Sequence, residues 1–307
     1  MKAKTAFTLL ELVFVIVIMG IIGKFGVEFL AQTYKGFVSS STNARLEAST
    51  ATAAEVIAAR LQYRIKDSVI ARTSPTATPV GVTSASGSNY VVLEWVGYDV
   101  EGFDGQLYTN SFYKPDWSGI LDLDAGNATN LFSPETNTTA VNNMIQYLSG
   151  GTTTINDIAL YFPGSNSDIQ TGYGWDGNLT DVNNQQGTMH PVKNVAADIR
   201  MFTSSTAHDF NGTDVYEYYK LAWTAYALVI ENYDANNDST GTLKLYYNYQ
   251  PWLGENFSTA QNVKSYTVME KVSTFQFTAV DSILKVQLCV KSDLIEEYSI
   301  CKEKTVF

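Results

Sequence analysis

Apolar and polar positions along this chain follow three successive rules. Residues 7–23, FTLLELVFVIVIMGIIG, are 17 nearly all-apolar positions broken by one charge, Glu11. As a helix they would span about 25 Å, near the lower limit for crossing a bilayer. The second rule has a period of four: Ala53, Ile57, Leu61, Ile65 and Val69 form one apolar stripe, flanked by Arg60, Arg64, Lys66 and Asp67. Such a stripe predicts an amphipathic helix lying on a sheet. No proline occurs before Pro75, so one helix is predicted from Phe7 to Arg72, about 100 Å long. Lys24 and Glu28 are placed to pair at i, i+4 where that helix would leave the lipid. Gly20, Gly23 and Gly26 would let neighbouring helices approach, or simply soften this one. Residues 39–52, rich in Ser, Thr and Ala, are expected to be its least rigid part.

After a Pro/Gly/Ser/Thr linker at 73–88 the period falls to two. Strands are predicted over 90–97, 106–113, 157–162, 198–203, 243–249, 272–278, 283–291 and 298–306. The aromatic run 215–230 is too long for one ordinary strand and is expected to bend or to span two. The stretch from about 110 to 195 is rich in Gly, Asn, Thr and Ser and reads as elaborated loops. The predicted architecture is α+β: a long N-terminal helix, its first half transmembrane and its second amphipathic, packed on a mainly antiparallel sheet in a head spanning 89–307.

The apolar run does not read as an ordinary secretory signal. The lead-in is short, Glu11 lies inside the run, and no small-x-small site closes it at Ile21-Ile22-Gly23-Lys24. A plain membrane anchor leaves the glutamate unexplained, because a carboxylate in hydrocarbon is costly and usually has a partner. The sequence Ala6-Phe7-Thr8-Leu9-Leu10-Glu11, preceded by Lys2 and Lys4, resembles the class III signal of type IV pilins and type II secretion pseudopilins, with Ala6 where that family usually has Gly. The resemblance is specific over about residues 5–23 and continues beyond them only as architecture. It implies removal of residues 1–6 by a prepilin peptidase, cleavage between Ala6 and Phe7, and N-methylation of Phe7. It also implies that Glu11 pairs with the freed amino terminus of a neighbouring subunit and sets register during assembly. The implied head is pilin-like, and the implied partners are other pilin or pseudopilin subunits and an inner-membrane assembly platform.

Charge narrows the reading. Residues 1–72 carry nine Lys/Arg against five acids, a net of +4, which leaves −15 for the rest of a chain whose total is −11. Arg200 is the only arginine after residue 72. Such a head is a poor nucleic-acid binder, which argues against a role in DNA uptake. Lys2 and Lys4 ahead of the apolar run place the amino terminus in the cytoplasm and the head outside it; the resemblance implies that the single pass is through a bacterial inner membrane and that the head is periplasmic.

Four groups of residues remain as candidate chemistry. Cys289 and Cys301 are symmetric about Ile295 and would face each other in a hairpin turning near 294–296. In an oxidising compartment a disulfide is favoured there over two buried thiols or a metal pair. A zinc site is not expected, because His190 and His208 have no ligand spacing to the cysteines or to each other. Asp234, Asn236 and Asp238 match the opening of a calcium loop, but Ser239 and Leu245 stand where Gly and Glu belong. A solvated hairpin loop is the better reading, a looser calcium site is the alternative, and no other cofactor is expected. Six N-x-S/T sequons occur, at Asn127, Asn137, Asn178, Asn211, Asn237 and Asn256. In those of Asn137, Asn178 and Asn211 an acid sits two residues earlier, the extended bacterial glycosylation pattern. No catalytic motif is evident: there is no Gly-rich phosphate loop, no G-x-S-x-G and no histidine beside a nucleophile, so an enzyme is not expected. Five tryptophans and 19 tyrosines would either line a carbohydrate site or fill a β core, and the second is commoner.

Together these features predict a minor subunit of a type II secretion pseudopilus. The retained Glu11 argues against the large K-type tip subunit, and the length favours a J-type one. The alternatives are a minor type IV pilin for adhesion or motility, and a membrane-tethered glycan-binding adhesin.

Overall fold

The computed structural model describes residues 8–85, 87, 89–108, 112–164, 168–183, 188–295 and 298–307. Helix α1 runs over Leu9–Gln62, 54 residues and about 80 Å. It stops ten residues short of the predicted end at Arg72. Its last carbonyls are met by side chain and turn: Arg64 Nη1 donates to Leu61 O at 2.7 Å, and the chain swings into the sheet as Ile65 N–H donates to Val96 O at 2.8 Å. Ile65 and Val69 are buried as the stripe predicted, but from a short 3₁₀ turn and extended backbone rather than from helix.

The chain then forms β1 (Ile70–Arg72), β2 (Val80–Gly81) and β3 (Val92–Gly97). The predicted linker at 73–88 is therefore partly built into the sheet. A turn closed by Ala77 N–H on Ser74 O returns the chain so that Val80 pairs with Ala71, and Val82 and Ala85 are buried. Next come α2 (Val100–Asp104), β4 (Gln106–Tyr108), β5 (Phe112–Lys114), β6 (Asn130–Phe132), α3 (Thr138–Ser149), β7 (Ala159–Tyr161), β8 (Met189–Val195), β9 (Asp198–Ser204) and β10 (Lys220–Ala222). The chain closes with β11 (Thr224–Asp234), β12 (Thr240–Tyr247), β13 (Lys264–Val280), β14 (Ile283–Lys291) and β15 (Ser299–Val306).

Eight strands form the main sheet in the order β15-β14-β13-β12-β11-β3-β1-β2, every neighbour antiparallel. Gly97 and Thr224 are cross-strand partners, so residues 98–223 leave and rejoin this sheet at adjacent positions. They form an inserted layer with a five-stranded sheet, β10-β7-β8-β9-β6, and the hairpin β4-β5.

Period-two alternation sorts the core. Leu93, Trp95, Tyr226 and Leu228 face Ala53, Ile57 and Leu61 of α1. Val92, Val96, Ala225, Ala227 and Val229 face the inserted layer, against Tyr161, Tyr173, Trp175 and Met189. Both faces of β11 are thus covered over 225–229, which explains the unbroken apolar run 225–230. The predicted break in 215–230 falls at Trp223, where β10 in one sheet gives way to β11 in the other.

The region read as loops is where expectation and structure differ most. It holds β5, β6, α3, β7 and β8, and Leu131, Val141, Ile145 and Val192 from it share a core with Phe202 of β9. Its strands are mostly three residues long, too short for alternation to register. The predicted strand at 106–113 is instead the two short strands of the β4–β5 hairpin.

Candidate functional site

Helix α1 opens with a reciprocal cap. Thr8 Oγ1 accepts the Glu11 N–H, and Glu11 Oε2 accepts from both the N–H (3.3 Å) and the hydroxyl (3.1 Å) of Thr8. Two otherwise orphaned donors are satisfied at the helix start, and a carboxylate sits at the positive end of the helix dipole. Cleavage candidates Ala6 and Phe7 lie outside the described residues. From residue 9 to residue 37 every side chain is exposed, including Leu12, Phe14, Ile16, Ile22, Phe25 and Phe29. This is one helix long and apolar enough to cross a membrane. Lys24 and Glu28 approach to 3.9 Å, both exposed.

The second half of α1 lies on the sheet. Ala53, Ile57 and Leu61 are buried, and Thr50 tucks its hydroxyl onto Leu46 O at 2.6 Å. Polar contacts line the seam: Tyr298 Oη donates to Asn43 Oδ1, Lys302 pairs with Glu47 at 2.8 Å, and Lys304 pairs with Glu55. The Lys302 ammonium holds the Glu47 carboxyl below its usual range. At the helix end, Arg60 pairs with Glu101 at 2.8 Å and lies over the Tyr226 ring. Arg64 is buried with its guanidinium on Leu61 O, Ser282 O and Val306 O, so it ties the helix terminus to the last strand. In the sequence Arg64 reads only as a stripe flank.

Cys289 and Cys301 are cross-strand partners between β14 and β15 and form a disulfide, with Cα atoms 4.0 Å apart. The bond fixes the strand that carries Lys302 and Lys304. The Asp234–Asp238 segment is the hairpin loop between β11 and β12. Asp234 Oδ1 accepts the N–H groups of Asn236 and Asn237, and Asp238 accepts from Thr240 N–H and from the Lys271 ammonium at 3.1 Å. Among the described residues no cluster of three or more His, Cys, Asp or Glu is arranged to hold a metal ion.

Two of these three sequon asparagines serve local structure. Asn137 caps α3, its Oδ1 accepting from Thr139 and Ala140 N–H; Asn178 Nδ2 donates to Asp176 Oδ2; Asn211 is exposed in a turn. All five tryptophans are at most 3% exposed, so they fill cores rather than presenting a ligand surface.

Two buried acids were not legible as such. Glu94, wholly buried, accepts from Arg72 Nε at 2.6 Å and from Tyr249 Oη at 3.0 Å. Burial raises its carboxyl pKa, and Arg72 and Tyr249 oppose that rise. Asp99 caps α2 and accepts from Gly102 N–H and Trp117 Nε1; burial pushes its carboxyl up to about 7.

Comparison with protein-family models, with curated proteins and with solved structures finds no match for this chain.

Proposed function

We propose that the chain is a minor subunit of a pilin-like filament, a J-type subunit of a type II secretion pseudopilus, that assembles through the free half of α1 to support protein export. The observation that carries the reading is the division of one helix. Its second half is docked on the sheet, while its first half is mostly apolar, is exposed on every side and, among the described residues, packs against nothing outside the helix. A lone acid at Glu11 near the free end adds to this, because its cap on Thr8 does not account for a charge placed inside an apolar run. In the proposed filament the free half lies first in the inner membrane and then among neighbouring helices, and the head stands on the periplasmic side. Cleavage before Phe7 would supply the amino terminus that Glu11 pairs with. No catalytic role is proposed.

Glu11→Gln tests the assembly step more cleanly than Glu11→Ala. Glutamine keeps the reciprocal cap with Thr8 and removes only the charge. The expected outcome is normal membrane insertion and cleavage with incorporation into sheared or cross-linked filaments strongly reduced. Incorporation of the Gln variant at the wild-type level would remove Glu11 from the assembly mechanism.

A further inference from the structure

The inserted layer carries an open cleft of about 320 Å³ between the segment leading into β6 and the segment 210–215. Its floor is apolar: Leu121, Leu131 and Phe210 are buried, and Phe132 is half-buried with the Arg200 guanidinium 5.0 Å from its ring centre. Backbone bonds hold the walls together. Phe210 N–H donates to Ala128 O at 2.8 Å, Asp122 N–H to Phe132 O at 2.9 Å, and Leu121 N–H to Glu217 O at 2.7 Å.

Three polar side chains stand on the rim: Asp122, Asn127 and Asn211. Each of the first two spends one oxygen on its own turn. Asp122 Oδ1 accepts from Asp124 and Ala125 N–H, and Asn127 Oδ1 accepts from Thr129 and Asn130 N–H. Those bonds fix how the side chains stand. They leave Asp122 Oδ2, Asn127 Nδ2 and the whole Asn211 amide without a protein partner among the described residues. Beside the cleft, Ile120 and Tyr218 are bridge partners and both are exposed, which extends the apolar surface past Leu121.

We infer that this cleft is a binding site for a neutral sugar ring. An apolar floor with a few uncommitted polar groups at the edge is the usual form of a small-ligand site. A pyranose presents C–H groups on its faces and hydroxyls around its edge. The C–H face matches Phe132 and the leucines. The hydroxyls match a carboxylate oxygen that accepts, the Asn127 Nδ2 that donates and the Asn211 amide that does both. An anionic ligand is disfavoured by Asp122 and by the net charge of −15 after residue 72. The tryptophans that suggest a sugar surface in the sequence play no part, since all are interior. This inference does not depend on the filament assignment.

The test is saturation-transfer NMR on the full chain in a zwitterionic, sugar-free detergent. The probes are the methyl glycosides of glucose, galactose, mannose and N-acetylglucosamine at millimolar concentration. Transfer to at least one is expected. Asp122→Asn, which keeps the Oδ1 acceptor its turn needs, should weaken that ligand about tenfold through loss of one charge-assisted hydrogen bond. Asn211→Ala should weaken it as well. Tyr147→Ala, on the exposed face of α3, should leave it unchanged. Circular dichroism melts of the three variants confirm that each is folded. Transfer to none of the four glycosides overturns the inference, as does transfer that Asp122→Asn and Asn211→Ala both leave at the wild-type level.

Discussion

The two halves of α1 are the same secondary structure under opposite conditions. Residues 9–37 are exposed on every side and mostly apolar. From Thr42 onward the helix is amphipathic, with Ala53, Ile57 and Leu61 buried and Glu47 and Glu55 reaching lysines of β15. In the docked half, the large apolar side chains Ile57 and Leu61 lie where the sheet is and Val56 is the exposed exception, as burial within one chain leads one to expect. In the free half they occur all round, so the surroundings that select them lie outside this chain. Lipid and neighbouring helices are the two that fit a run of this length.

The sharpest way to break the comparison is to make the same substitution in both halves. Leu61→Ala removes a fully buried side chain from the seam and should cost about 2–5 kcal/mol in the thermal unfolding of the head. Leu12→Ala, fully free of the head, should leave that transition where it was. If the two shift melting equally, the free half is not free.

A second measurement sharpens the docked end. Tyr98 N–H donates to Tyr63 O at the helix terminus, and Asp99 follows it, buried, with a carboxyl pKa near 7. A carboxyl raised above its unfolded value binds its proton more tightly when folded. Its favourable share is therefore complete below the unfolded pKa near 3.8 and is lost as pH rises towards 7. Wild type should gain stability relative to Asp99→Asn as pH falls from about 7 to about 4, by on the order of 3 kcal/mol over that interval. His190, held down to about 4 by burial, acts in the opposite direction below its ordinary value, which is why the difference between variants is the informative quantity. A pH-independent difference would mean that Asp99 stays ionised in the fold.

The disulfide gives the smallest effect. Cys301→Ser unpins β15, the strand that carries Lys302 and Lys304 to α1. The expected loss is about 2 kcal/mol or less, since the extensive core remains. Thiol labelling of unreduced, unfolded wild type should find no free cysteine.

How much of this was legible depended on the length of each pattern. The start of α1 and the limits of β14 can be read directly, because apolar runs and alternation persist there over many residues. The end of α1 cannot. Ile65 and Val69 keep the spacing of Ala53, Ile57 and Leu61, and nothing in the spacing shows that Arg64 caps Leu61 and turns the chain into the sheet. The inserted layer was hidden by its short strands and turn-rich composition. A signal for α3 was nevertheless present: Asn137 as a cap, Val141 and Ile145 four apart, and Gly150 in the left-handed conformation at the end. Asn137 carries two signals at once, a sequon and a helix cap, and only the cap is seen in use. In the free half the situation reverses. Thr8 and Glu11 are legible as a motif, and their reciprocal cap accounts for the glutamate within the single chain without accounting for its place in an apolar run.

The measurement closest to the central claim is the mass of the N-terminal peptide from chain extracted from the native membrane. The account predicts a mature terminus at Phe7 carrying one added methyl group, with Glu11 five residues into the mature chain. A terminus at Lys24 or beyond would make residues 7–23 a removed secretory signal, and the free half of α1 would not exist in the mature protein to build a filament.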